Sequence, residues 1–359
     1  MEIAARYEVV LIKEVSIIIP TYNESENIAL LIHRIETMAL DVQIVVVDDN
    51  SPDKTADVAE RLGKKYGNIT VVRRPAKNGI ATAIRDGMLN SESKYVIVMD
   101  SDLQHPPEVI PKILKDLRRG RDIVIASRYV RGGQSDFSLP RKAISRMATL
   151  IAHINLQETE GIKDPMSGYF GFRRDLIKPE QIVSNGYKIL LEILVASGTK
   201  NVSEVPYRFN RRKNGKSKLG IGEFIKYIKL VLSLSNYLML KFLVVGLTGA
   251  ILNLLLMRII VGGFNEPIYL GAIVALEASI ISNFLLNNYW TYKNRKSNGT
   301  VFRKYLKYNM MSSLGSGIYF ALIFVLTLFG VGYLLATAIG ILGSFSTNFG
   351  GSQGVVWHL

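Results

Sequence analysis

Short apolar runs alternate with amphipathic stretches through the first third of the chain. Val15–Ile19, Gln43–Val47, Ile69–Arg73, Tyr95–Met99 and Asp122–Ala126 are each compact and rich in β-branched residues, the pattern of buried strands. Between them the spacing predicts four helices. One is capped by Ser25 or Asn23 and runs toward Met38, one spans Lys54–Tyr66, and one spans Asn78–Leu89. The fourth opens at Glu108 behind Pro106-Pro107 and ends near Arg119. Pro20 reads as the stop of the first strand. Strands alternating with helices in short units make a parallel, doubly wound α/β sheet.

Two amphipathic helices follow, at 140–157 and 221–237. In the first, Ile144, Met147, Ile151 and Ile154 recur at steps of three and four, with Arg141, Lys142 and Arg146 off that face. In the second, Phe224, Ile228, Val231 and Leu232 share a face. Beyond Tyr237 the pattern changes to long apolar runs over 238–262, 268–288, 308–329 and 331–349. Each has about the 20 residues that cross a bilayer. The expected organisation is therefore an α/β domain over 1–237 and a four-helix membrane domain over 238–359.

Composition sharpens this picture. The 359-residue chain carries a net charge of +14, yet its mean hydropathy is +0.19. Basic and apolar together fit a protein seated on an anionic membrane, with the two amphipathic helices lying in the interface. Between the second and third spans lie Lys293, Arg295, Lys296, Arg303, Lys304 and Lys307, whereas the other two inter-span loops hold no basic residue. That asymmetry places the basic segment, both termini and the α/β domain in the cytoplasm. The basic residues sit beside apolar helices rather than among exposed aromatics, which argues against nucleic acid. No cysteine is present, so disulfides and thiolate metal sites are excluded.

Polar clusters end the strands, where open α/β sheets bind ligands: Tyr22 and Glu24, Asp48 and Asp49, Asp100 and Asp102, Ser127 and Arg128. Asp100 and Asp102 stand two apart, so an extended chain directs both carboxylates to one side. With Gln104 as a third oxygen ligand they suit Mg²⁺ or Mn²⁺. No Gly-x-Gly-x-x-Gly follows the first strand and no P-loop occurs, which points to a nucleotide sugar held by acids and a metal. Glu277 falls inside the second span, where a carboxylate is either a functional group or a helix–helix hydrogen bond.

The stretches Pro20-Thr21-Tyr22-Asn23-Glu24, Asp48-Asp49-Asn50-Ser51-Pro52-Asp53 and Asp100-Ser101-Asp102-Leu103-Gln104-His105-Pro106-Pro107 occur in that order. Ser127-Arg128-Tyr129, Asp164-Pro165-Met166-Ser167-Gly168 and the basic stretch 209–219 follow them. Over Val15 to Tyr237 the chain resembles a family 2 glycosyltransferase of the GT-A, Rossmann-like fold, in particular the polyprenyl-phosphate group that includes dolichol-phosphate mannose synthases. The membrane part, with Ser282-Asn283-Phe284 and Asn287-Asn288-Tyr289-Trp290, is similar to GtrA-like four-helix proteins. The Gly-rich tail at 348–353 departs from that pattern.

The resemblance implies that Pro20, Tyr22, Glu24 and Asp49 hold the nucleotide, with Asp53 supporting their loop. It implies that Asp100, Ser101 and Asp102 meet the diphosphate, with Asp100, Asp102 and Gln104 as metal ligands. Arg212, Ser217 and Lys218 would close a basic loop over it. Arg128, Arg131, Ser135, Arg141 and Lys142 are placed to receive a lipid phosphate, and Arg128 and Asp102 are the catalytic candidates. A phosphate acceptor is largely dianionic at neutral pH and needs no general base, so Asp164 is read as orienting Arg128 or the donor sugar rather than as a base. The reaction implied is inverting transfer of mannose from GDP-mannose to dolichyl phosphate. The rival donor is UDP-glucose. A processive polysaccharide synthase lacks support because Gln-x-x-Arg-Trp is missing. From another class, the membrane helices could translocate the lipid-linked sugar, or simply anchor and self-associate.

Overall fold

The computed structural model describes residues 13–182, 188–210, 221–293 and 299–357. The chain forms two compact units, Met1–Leu234 and Ser235–Leu359.

The first unit is built on a seven-stranded sheet. In chain order its elements are β1 (Val15–Thr21), α1 (Ser25–Glu36), β2 (Val42–Asp48), α2 (Thr55–Tyr66), β3 (Ile69–Arg73), α3 (Ile80–Leu89), β4 (Tyr95–Val98), α4 (Ile110–Arg118), β5 (Ile123–Ser127), β6 (Gln134–Ser135), α5 (Leu139–Asn155), β7 (Phe170–Arg173), α6 (Ile189–Ser197), β8 (Val202–Pro206), β9 (Arg208–Phe209) and α7 (Ile221–Leu234). The sheet order is β3-β2-β1-β4-β7-β5-β8. All pairings are parallel except those of β7, which runs antiparallel between β4 and β5. The sheet is thus mixed, where the sequence pattern predicts a purely parallel one. The antiparallel strand is four residues long and centred on Gly171, too short for a periodicity to show. A Cβ at Gly171 would stand 2.6 Å from Ile113 of α4, so the glycine lets that helix lie close on the sheet.

Apolar side chains cover both faces. Ile17, Ile19, Ile44, Val46, Ile97 and Val124 pack toward α1, α2 and α4. Ile18, Val45, Val47, Val96, Val98 and Ile125 pack toward α3 and α6. This two-sided burial is why the strands read as continuous apolar runs.

Pro20 does not end β1. It pairs with Val47 of β2, and strand parity turns its missing donor toward β4, whose pairing with β1 stops at Ile18. Neither Ser25 nor Asn23 caps α1 with its side chain. The caps come from the β2–α2 loop instead. Ser51 Oγ accepts the Asn23 N–H, Thr55 Oγ1 the Glu24 N–H and Asp53 Oδ2 the Ser25 N–H, each at 3.0 Å. After Pro106 a single 3-10 turn, Pro107–Val109, precedes α4.

The apolar stripe of α7 is covered. Phe224, Ile228 and Val231 pack on Ala148, Ile151 and Ala152 of α5, and Tyr227 Oη donates to the Ala148 carbonyl at 2.5 Å. Ile151 is therefore drawn inward. The apolar face that α5 leaves open consists of Leu139, Ile144, Met147 and Leu150, the last three 48–56% exposed.

The second unit comprises α8 (Leu238–Met257), α9 (Ile268–Leu286), α10 (Val301–Leu328) and α11 (Tyr333–Gly351). Leu238–Gly263 and Val301–Leu328 are long and apolar enough to cross a bilayer. α10 begins at Val301 rather than near residue 308, so Arg303, Lys304 and Lys307 lie on its first turns. Thr300 Oγ1 accepts the Arg303 N–H and starts the helix there. The Gly-rich tail continues α11. Gly351 leaves room for Met311, whose sulfur would stand 2.5 Å from a Cβ at that position.

Candidate active site

The loops after β1, β2, β4 and β5 meet at one edge of the sheet. Asp48 is buried and structural: it accepts from Thr21 Oγ1 at 3.0 Å and from the Ser51 N–H at 2.9 Å. Asp49 is buried as well. It pairs with the guanidinium of Arg74 and accepts the Gly79 N–H at 3.3 Å. Arg74 also donates to Thr82 Oγ1 at 2.7 Å and meets Asp86 at 3.0 Å. Asp49 thus reaches the crevice as half of an ion pair. The register had carried the signal: Asp48 pairs with Arg73, which brings Arg74 beside Asp49.

Tyr22 lies under the Lys77 ammonium, 3.5 Å from its ring centre, and Glu24 accepts from Asn27 at 2.6 Å. Asp53 binds the Ser25 and Thr55 N–H groups through different oxygens, joining the β1 and β2 loops. Burial works against its charge, but the hydrogen bonds from Thr55 and Ser25 prevail and hold its pKa below 3.8.

The turn after β4 is fixed from below by His105. Its Nδ1 accepts the Asp100 N–H at 3.0 Å, while its ring stacks on Tyr169 and meets Tyr207 and Phe209 edge-on. Burial pulls this histidine's pKa to about 4, so the ring is neutral and Nδ1 remains an acceptor. Leu103 takes a left-handed φ of 62°, a strained conformation for a branched side chain. Asp102 Oδ1 accepts the Gln104 N–H at 3.1 Å. Gln104 Nε2 donates to the Asn210 carbonyl at 2.9 Å, which commits the amide nitrogen and leaves Oε1 as the ligand atom. Among the described residues no three acidic or histidine side chains cluster. Two carboxylates and an amide oxygen fit a hard divalent ion that keeps positions for substrate phosphates. Ser101 Oγ faces the Pro20 carbonyl at 3.4 Å.

Beyond β5, Arg128 is clamped by Asp164. Its Nε and Nη2 donate to the two carboxylate oxygens at 2.8 and 2.7 Å, and its backbone N–H adds a third bond at 2.9 Å. Asp164 is fully buried and its own N–H is held by Glu204. Burial lowers the guanidinium's pKa, but Asp164 more than offsets it, so Arg128 stays charged. Both Asp164 oxygens are taken, which suits orientation of Arg128 and not proton abstraction. Arg128 and Arg141 share the Phe137 ring, at 5.5 and 4.1 Å. Arg141 Nε is buried without a hydrogen-bond partner, and burial together with the Arg128 charge lowers its pKa. Ser135 sits in β6, paired with Phe209 of β9, Lys142 is half-buried on α5, and Arg131 is exposed on the β5–β6 turn. Lys188, a lone lysine at the head of an apolar run, was not singled out by the sequence. Its Nζ donates to the Met166 carbonyl at 3.0 Å, and burial followed by the Arg128 charge pulls its pKa to about 8. Arg212, Ser217 and Lys218 lie outside the described residues.

The sequence comparisons agree with this geometry. A profile described as glycosyl transferase family 2 matches residues 16–179, and one described as the GtrA/DPMS transmembrane domain matches 241–357. A dolichol-phosphate mannosyltransferase of Pyrococcus furiosus is 37% identical over 352 residues, covering 96% of this chain and 99% of that one. The chain belongs to the dolichol-phosphate mannosyltransferase family. It is a glycosyltransferase and a membrane protein. The Saccharomyces cerevisiae member is 32% identical and matches 60% of this chain and 85% of its own length. The Mycosarcoma maydis member is 30% identical, covering 62% and 79%. Among solved structures, glucosyl-3-phosphoglycerate synthase of Mycobacterium tuberculosis aligns over 62% of this chain and 80% of its own, at a TM-score of 0.49 and 19% identity.

Proposed function

We propose that the enzyme transfers mannose from GDP-mannose to dolichyl or another polyprenyl phosphate, with inversion at the anomeric carbon. The observation that carries this reading is the pair of guanidiniums on Phe137. Two like charges held together, one clamped by a buried carboxylate and one with a buried unpartnered donor, suit an anion. Arg131, Ser135 and Lys142 extend the same surface. A phosphate dianion placed there attacks the anomeric carbon directly, and no residue needs to remove a proton. Asp164 keeps Arg128 aimed.

The donor lies along the loops after β1, β2 and β4. Pro20, Tyr22, Glu24 and Asp49 hold the nucleotide, Asp49 together with Arg74, and Asp53 fixes the two loops to each other. Asp100, Ser101, Asp102 and Gln104 face the diphosphate, and Asp100, Asp102 and Gln104 would hold Mg²⁺ or Mn²⁺. Such an ion neutralises the leaving nucleoside diphosphate. Lys188 adds positive charge at the same end, and Arg212, Ser217 and Lys218, outside the described residues, are the further candidates for meeting the diphosphate. The exposed face of α5, Leu139, Ile144, Met147 and Leu150, rests in the membrane interface, where a prenyl phosphate waits. The excess of basic residues before and at the start of α10 supports a cytoplasmic catalytic unit, with the four helices anchoring the enzyme and self-associating.

A transfer assay tests the reading. The purified protein in liposomes with Mn²⁺ receives polyprenyl phosphate and sugar-labelled GDP-mannose or UDP-glucose. Labelled, mild-acid-labile lipid from GDP-mannose alone, absent in Asp102→Ala, is the expected result. Label from UDP-glucose alone overturns the donor, and no lipid from either overturns the acceptor.

A further inference from the structure

The membrane unit is one helical hairpin used twice. On α8, Lys241-Phe242 and Gly249 recur 66 residues later on α10 as Lys307-Tyr308 and Gly315. On α9, Ser282-Asn283-Phe284 recur 65 residues later on α11 as Thr347-Asn348-Phe349. The contacts repeat with the residues. A Cβ on Gly249 would stand 2.2 Å from Asn283 Oδ1, and one on Gly315 would stand 2.1 Å from Asn348 Oδ1. Phe242 meets Phe349 at 5.4 Å, and the reciprocal pair Tyr308 and Phe284 meets at 5.8 Å. Each second helix ends in a π-helical turn, Asn287–Thr291 and Ser352–Val356. The equivalent residues after these turns, Tyr292 and Trp357, stack at 4.2 Å. Equivalent residues of two copies touch only near the axis that relates them, so a pseudo-twofold axis runs by this stack.

The duplication supplies its own control, and one groove breaks it. Between α9 and α10, Tyr305 Oη donates to Glu277 at 3.4 Å and Asn309 Nδ2 to Tyr305 Oη at 3.5 Å. The twin positions, by the same offsets, are Leu342, Met239 and Leu243. Leu342 is 65% exposed and Leu243 43%, so the twin positions also face outward, and they are wholly apolar. Glu277 is exposed and makes no ion pair among the described residues. The two hydrogen bonds are long and the twin positions do without them, while the Tyr305 ring meets Phe284 edge-on at 5.4 Å. A carboxyl group on a lipid-facing surface costs free energy that leucine does not, and such groups mark ligand sites.

We propose that the Glu277–Tyr305–Asn309 groove binds the sugar headgroup of a glycosylated membrane lipid, whose hydroxyls donate to the carboxyl and carboxamide oxygens. A polyprenyl phosphate without sugar offers these oxygens no sugar hydroxyls. The occupant is the glycosylated polyprenyl phosphate, and to that extent the inference rests on the proposed function.

The test makes the groove like its twin, with E277L, Y305M and N309L combined in the full chain. Synthetic labelled mannosyl-phosphoryl polyprenol is equilibrated with wild type and variant in nanodiscs, beside the same polyprenyl phosphate without sugar. The expected result is at least tenfold weaker binding of the glycosylated lipid to the variant. Binding of the sugar-free lipid, the transfer rate and the melting temperature stay unchanged or, for the last, rise. Equal binding of the glycosylated lipid to both proteins overturns the proposal. So does a lower melting temperature, which would make the cluster structural, or a change in oligomeric mass, which would make its occupant another helix. Because the lipid is synthetic, this result stands apart from the transfer assay: a wild type that binds it but makes none would contradict the proposed reaction and keep the groove.

Discussion

In the α/β unit two buried ion pairs stand at the site, Arg74 with Asp49 and Arg128 with Asp164. In the membrane unit the buried polar groups among the described residues are neutral, and the Asn283 and Asn348 amides lie against glycines. Solvent explains the contrast. In water, burying apolar surface drives folding strongly enough to carry a few desolvated ion pairs that aim functional groups. In a bilayer apolar burial gives no such drive, and close backbone approach at small residues takes its place. The same polar inventory thus positions chemistry in one unit and packs helices in the other, and Glu277 stands out because it does neither.

Asp164→Asn should break the first half of this comparison most severely. Removing one charge of a buried pair costs about 3–5 kcal/mol, and misdirecting Arg128 should lower transfer by roughly 10²–10³-fold. Melting temperature and initial rates measured together check it; a variant that keeps the wild-type rate shows that Arg128 is not held for catalysis. Replacing Gly249 or Gly315 by Val breaks the second half. Each should destabilise the membrane unit by about 1–3 kcal/mol through overpacking, to similar extents, with GDP-mannose binding unchanged. Unequal losses would argue against the two hairpins being equivalent.

A triple change of Ile144, Met147 and Leu150 to Asp sharpens the comparison at the boundary between water and lipid. It should raise KM for long-chain prenyl phosphate by roughly tenfold or more while leaving donor affinity intact. Equal loss of both would refute an interfacial role. Ile151, which the periodicity places on that face, is left out because it packs under α7.

The smallest effect concerns Lys188, whose folded pKa of about 8 lies below the ordinary 10.5. Between those values only the unfolded chain keeps the proton, so wild-type stability should rise with pH there. Donor affinity should fall over the same range as the ammonium is lost. Lys188→Met should flatten both slopes, as read by pH-resolved melting and nucleotide-binding titrations.

Most of the sheet and all the strand-end acids are legible in the sequence, because two-sided burial writes continuous apolar runs and the acids interrupt them. β7 was hidden by its length. The capping of α1 was hidden because its acceptors, Ser51, Asp53 and Thr55, arrive from another loop. Arg74, His105 and Lys188 act through tertiary contacts: His105 stands in a motif whose acids draw the eye, and Lys188 reads as an ordinary helix-start lysine. The hairpin repeat is written in the sequence only as Lys, Gly and Asn-Phe at fixed offsets, and its meaning appears once the rings are seen to touch reciprocally.

The most direct test of the site is an experimental structure of the full chain with GDP-mannose, Mn²⁺ and a short-chain prenyl phosphate. The diphosphate is expected at Asp100, Asp102 and Gln104, and the acceptor phosphate between Arg128 and Arg141. A phosphate bound away from these two guanidiniums, or a donor seated elsewhere than at the ends of β1, β2 and β4, would contradict it.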